Sequence, residues 1–145
     1  MHSRDVLHRD IKLQNMLLKY EGKFETTVLG DFGLAIDLNK EQPVAKQVVG
    51  TSDYLSPELK NRHCATSKQS DVWACGVAFY KMLTGVYPAE SIGQSDVVGN
   101  NGVANDASNL IKRCLHVDKQ RRLSASELLE YGEKRLGWRH QKRAE

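Results

Sequence analysis

The sequence predicts a mainly α fold carrying one short β-hairpin. Three observations predict it: two strand-like runs around a glycine turn, a long apolar helix ending at a glycine, and two later helices with clear start signals. In chain order, residues 15–20 and 26–29 flank Glu21-Gly22-Lys23 and read as a hairpin. Residues 36–50 have no period and contain Pro43, so they read as a long loop. Ser67-Lys68-Gln69-Ser70 opens a helix from Asp71 to Thr84, apolar on nearly every side and expected to be packed all round. Gly85 ends it. Residues 93–105 are rich in Gly, Asn, Ser and Asp and read as another loop. Asp106 is then the expected cap of a helix with Ala107, Leu110, Ile111, Cys114 and Leu115 on one face. Ser124-Ala125-Ser126-Glu127 has the form of a capping box and opens the last helix. Five Lys or Arg between Lys134 and Arg143 read as a solvated helix end, with an interaction patch as the alternative.

The 145 residues suit a single domain over 1–145. Apolar residues at 40% and charged residues at 27% are a globular balance. A net charge of +3 is too small for a clustered basic face, so no nucleic-acid partner is expected. No apolar run reaches 18 residues, so no membrane partner is expected either. Cys64, Cys75 and Cys114 are odd in number and lack metal spacing, which predicts reduced thiols. The opening Met1-His2-Ser3-Arg4-Asp5 has no apolar signal core, so the expected location is cytoplasmic or nuclear.

The chemistry lies in His8-Arg9-Asp10-Ile11-Lys12-Leu13-Gln14-Asn15, followed sixteen residues after Asn15 by Asp31-Phe32-Gly33. Gly50-Thr51, Ser56-Pro57-Glu58, Asp71-Val72-Trp73 with Gly76, and Arg122 follow in order. Each run alone is weak, and an isolated Asp, Lys or Asn on a loop is ordinarily just solvated. Together they resemble the eukaryotic protein kinase family, with its H-R-D-x-K-x-x-N and D-F-G motifs. Ser56 stands where that family has Ala in A-P-E. Lys12 and the Gly50-Thr51-x-x-Tyr54 run resemble its serine/threonine branch.

The resemblance implies a phosphotransferase using ATP and Mg2+, with a protein substrate offering a Ser or Thr acceptor. It implies Asp10 and Lys12 as catalytic residues, Asp10 orienting the substrate hydroxyl and Lys12 placing a cation at the transferring phosphate. Asn15 and Asp31 would hold the metal as hard oxygen ligands. Asn15, Leu17, Asp31 and Lys12 would bind the cofactor, Leu17 as the floor under adenine. Phe32 and His8 would stack in the core beneath. Asp71 would accept hydrogen bonds from the catalytic-loop backbone, or else simply cap its helix. Thr51 would contact that loop, and Glu58 with Arg122 would form a buried ion pair.

No glycine-rich phosphate loop and no lysine strand occur, and both would precede the catalytic loop. The resemblance therefore implies a kinase-like C-terminal lobe with the N-terminal lobe absent, inactive alone. Most of the helix that leads into the loop is absent too, and the segment between Gly85 and Leu115 is shorter than the family's. Self-association, or a separate N-lobe segment, is the expected partner. A non-catalytic scaffold and a small-molecule phosphotransferase stay open as alternatives. Intact Asp10, Lys12, Asn15 and Asp31 count against the scaffold; the residue 50–58 platform counts against the small-molecule enzyme.

Two departures concern regulation and specificity. Residues 34–50 contain no Ser, Thr or Tyr, and Gln47 stands where the family is commonly phosphorylated. Arg9 is therefore expected to pair with Glu41 or Asp37, or to stay unpaired. Gln14 and Lys81 stand where arginine-selecting kinases carry carboxylates, so arginine just before the acceptor is expected to be neutral or disfavoured.

Overall fold

The computed structural model describes residues 1–23, 26–43, 48–62, 64–88 and 105–138. Strands β1 (Val6–Leu7) and β4 (Ile36–Asp37) pair antiparallel, Val6 opposite Asp37 and Leu7 opposite Ile36. Strands β2 (Met16–Leu18) and β3 (Thr27–Leu29) form the predicted hairpin, with Leu17 opposite Val28. Helices α1 (Pro57–Lys60), α2 (Lys68–Thr84), α3 (Asn105–Cys114) and α4 (Ala125–Arg135) follow. Three 3-10 turns, His2–Arg4, Leu13–Asn15 and Ser52–Tyr54, lie on or beside the motifs.

Local chemistry explains the long helix. Ser67 caps α2 by accepting the Ser70 amide while Ser70 reaches back to the Ser67 amide. Gly85 closes it in the left-handed conformation (φ 78°), which costs a glycine nothing. Gly76 serves packing instead. A Cβ there would lie 2.7 Å from the Cys114 Cβ and 2.9 Å from Leu115 Cδ2, so α3 crosses α2 at this point.

The core forms on the two sides of α2. Ile11, Tyr54, Ala74, Val77, Ala78, Ile111 and Leu115 make one cluster. Val72, Leu110, Cys114 and Leu123 make the other, flanked by Phe79, Tyr131 and Trp138. Trp138 folds back against Gly132, where an added Cβ would overlap its ring, and meets Phe79 edge-on at 5.9 Å. All three cysteines are free thiols, and burial pushes the Cys114 thiol up to about 12. No helix among the described residues is long and apolar enough to cross a membrane.

Four expectations need correction. The α2 helix is not covered all round: Met82 and Leu83 in its last turn are 59% and 47% exposed. Asp106 is not a cap; it lies inside the first turn of α3 and accepts the Tyr131 hydroxyl. The expected loop over 36–50 begins with strand β4, whose ladder bonds to β1 no local pattern announces. Asp71 is not a helix cap either, because Ser67 holds that position. Of the loop predicted over 93–105, residues 93–104 lie outside the described residues, as do Gln47 and the tail beyond residue 138, while Asn105 already belongs to α3.

Candidate active site

The loop between β1 and β2 carries the first motif, and Asp71 clamps it from beneath. Asp71 Oδ2 accepts the His8 amide at 2.9 Å, and Oδ1 accepts the Arg9 amide at 3.0 Å. His2 Nε2 adds a third contact to Oδ2 at 2.8 Å. Asp71 is buried at 2% exposure, so each bond satisfies a charge that water cannot reach. The buried His8 donates from Nε2 to the Gly30 carbonyl (2.9 Å) and accepts the Asp10 amide at Nδ1 (3.3 Å). That ring joins the loop to the end of the hairpin.

Arg9 is held in the left-handed region at φ 68°. Gly50 lies against its carbonyl: a Cβ on Gly50 would sit 2.4 Å from the Arg9 oxygen, and φ there is +102°. Only glycine meets both conditions. This close approach brings Thr51 onto Asp10. Asp10 Oδ1 accepts the Thr51 amide (3.0 Å) and hydroxyl (2.8 Å), and Oδ2 accepts the Lys12 ammonium (2.7 Å). Lys12 also donates to the Thr51 hydroxyl at 2.9 Å. The Asn15 side-chain amide donates to the Asp10 carbonyl at 2.8 Å and, more weakly, to its carboxylate at 3.4 Å. Burial pushes the Asp10 carboxyl up, but hydrogen bonds from Lys12 and Thr51 outweigh it and the net shift is downward. The same Asp10 contact raises Lys12, with a smaller upward push from Asp31.

Residues 1–132 match the family model described as the protein kinase domain. The chain belongs to the protein kinase family. It is similar to CBL-interacting protein kinase 25 of Oryza sativa subsp. japonica, 36% identical over 140 residues, 89% of this chain and 27% of that protein. The calcium/calmodulin-dependent protein kinase type II alpha chain of Drosophila melanogaster is 33% identical over 143 residues, 90% of this chain and 27% of that one. CBL-interacting serine/threonine-protein kinase 15 of Arabidopsis thaliana is 31% identical over 140 residues, 89% and 32%. The chain spans less than a third of the length of these relatives.

The other kinase motifs sit around this centre. Asp31, exposed and at φ 56°, accepts the Gly33 amide through Oδ1 (3.2 Å). The donor set offers oxygen only, from Asn15 and Asp31, and no cluster of three His, Cys, Asp or Glu exists among the described residues. That set fits magnesium, which binds through one or two protein oxygens and takes its other ligands from phosphates and water. Leu17 stands on β2, 52% exposed, and its Cδ1 would lie 2.8 Å from a Cβ on Gly30. Glu58 and Arg122 form a two-pronged pair at 2.8 and 3.0 Å. Arg122 also donates to the carbonyls of His116, Gln69 and Val117 and lies over the Trp73 ring. Burial raises the Glu58 carboxyl, Arg122 lowers it more, and the net direction is down.

Two site expectations fail. Phe32 does meet His8 edge-on at 4.9 Å, but it is 52% exposed rather than in the core. Its neighbours Asp31, Gly33 and Leu34 are exposed as well, so the whole turn rides on the surface. Arg9 pairs with no carboxylate among the described residues and is not unpaired: its Nε donates to the Leu34 carbonyl. Asp37, one proposed partner, is taken by Asn39 and Lys40. Sequence reasoning also missed His2, which stands 69 positions from Asp71 and has no motif to mark it. Ser56, in place of the family's alanine, buries a hydroxyl with no hydrogen-bond partner among the described residues.

Proposed function

We propose that this chain is the C-terminal lobe of a serine/threonine protein kinase, transferring the γ-phosphoryl group of ATP to a protein hydroxyl. The observation that carries the reading is the closed network of Asp10, Lys12, Asn15 and Thr51. In such transfer the protein positions reactants and neutralises charge, with little covalent chemistry of its own. Asp10 accepts a hydrogen bond from the substrate Ser or Thr hydroxyl and aims its oxygen. Its lowered pKa makes it a weak base, so it orients the hydroxyl first and receives the proton at its carboxylate as the transfer proceeds. Lys12 sets its ammonium against the phosphoryl oxygens. Asn15 and Asp31 would hold magnesium, which would supply charge neutralisation at the nucleotide phosphates. Leu17 offers an apolar surface to adenine. Residues 51–58, tied to the core by Glu58 and Arg122, support the peptide.

The reading is tested by phosphate transfer from ATP and magnesium to a generic protein substrate, using the whole protein that carries this chain. Asp10→Asn should cut turnover by about 10²–10⁴-fold, the range of a lost general acid-base group. The 145-residue chain alone should show negligible turnover. Robust activity untouched by Asp10→Asn would overturn the proposal.

A further inference from the structure

We propose that residues 136–138 are an intramolecular strap: the Trp138 indole docks in a seat that α4 keeps open with a glycine, and so fastens the end of α4 to α2. Nothing in this strap depends on the kinase reading, and the match to the family model ends before it, at residue 132. Gly132 is the anomaly that exposes it. Glycine weakens a helix interior more than any residue but proline. Yet Gly132 lies inside α4, buried, and its φ is not positive. The helix therefore has no use for glycine's backbone freedom at this position. It gains room instead: a Cβ on Gly132 would lie 1.9 Å from Trp138 Cε3 and 2.3 Å from Cδ2. Both atoms belong to a rigid ring, so only removal of the whole side chain from its seat relieves the overlap.

Gly137 supplies the reversal. It sits at φ 68° with nothing within 4 Å of a Cβ, so conformation rather than space requires glycine there. The chain turns back, and the Trp138 amide donates to the Gly132 carbonyl at 3.0 Å, the oxygen that also accepts the Leu136 amide. One glycine thus seats the ring and receives the strap's main chain, and the other aims it. The ring also meets Phe79 of α2 edge-on at 5.9 Å. Leu136, Trp138 and Phe79 all pack against the cluster of Val72, Leu110, Cys114 and Leu123, and Phe79 flanks the cluster of Ile11 and Tyr54 as well. Among the described residues, the strap's main-chain bonds all go to the one Gly132 carbonyl. Lifted about Gly137, it leaves α4 wound and uncovers Phe79.

The test is a double-variant cycle in urea unfolding of the 145-residue chain: wild type, Gly132→Ala, Trp138→Ala and the pair. Each single change should lower the folded-to-unfolded ratio by about tenfold or more, since one evicts the ring and the other removes it. In the Trp138→Ala background the sign should invert. There Gly132→Ala should raise the ratio about fourfold, the preference of a helix for alanine over glycine. Additive losses, or a Gly132→Ala chain as stable as wild type, overturn the proposal. Should Gly132→Ala fail to fold alone, a folded pair supports the seat equally. Acrylamide quenching decides where no Trp138→Ala chain folds, using the emission that Trp138→Phe removes. That emission should be shielded in wild type and quenched more readily in Gly132→Ala, whose Cβ holds the strap open. Emission quenched in wild type as freely as in urea overturns the strap.

Discussion

The two motifs of the site are built to different standards. The catalytic loop is held at nearly every polar atom: Asp71 takes two of its amides, His8 bridges to Gly30, and Thr51 locks Asp10. Among the described residues, the hydrogen bonds of the hairpin and the turn after it are mostly local, and these segments expose Leu17, Leu18, Tyr20, Val28, Phe32 and Leu34. The first region is organised before any substrate arrives, so its geometry costs no ordering at the moment of reaction. The second presents apolar side chains to whatever covers them, as the proposed adenine contact of Leu17 would use. On the proposed kinase reading, preorganisation for the hydroxyl and openness toward the nucleotide would divide between these two adjacent segments.

The strongest way to break the contrast is Asp71→Ala. It strands the His8 and Arg9 amides and His2 in a buried site, and should cost about 3–5 kcal/mol, the range for one buried charged partner removed. Urea unfolding of the 145-residue chain measures it, and a loss below about 1 kcal/mol would show that the loop is held by other contacts.

Acid tests the same region more gently. Asp10 and Glu58 both have carboxyl pKa values below their ordinary 3.8 and 4.5. A depressed folded pKa gives stability that is present above the unfolded pKa and lost as pH falls through the folded one. Stability should therefore hold down to about pH 5 and decline below it. Thr51→Val removes a hydroxyl donor from Asp10 and should move the decline to higher pH.

The open region should respond least in stability. Phe32→Ala and Leu17→Ala should each cost under about 1 kcal/mol, because half-exposed side chains lose little burial. The same surface should drive self-association, joined by Met82 and Leu83 at the end of α2. Light scattering should show the wild-type chain associating and a Leu17→Lys, Met82→Lys double variant associating less. A monodisperse wild type would show that these side chains are harmlessly scattered.

Much of this protein was readable along the chain. Ser67 with Ser70, Ser124 with Glu127, and Gly85 mark helix ends because each motif closes within a turn, from residues three or four apart. The kinase motifs were equally legible, since phosphoryl transfer demands particular residue types at short spacings. Tertiary structure alone decided which distant groups complete them. His2 reaches Asp71 across 69 positions, and Arg9 takes a main-chain carbonyl instead of a carboxylate. Phe32 and Met82 are apolar by type, yet both are more than half exposed, which no local pattern announces. Strand β4 exists only through its bonds to β1, thirty residues earlier. The physical reason is range: caps and motifs are bonded by the chain's own geometry, whereas burial and pairing follow from packing that no single segment encodes.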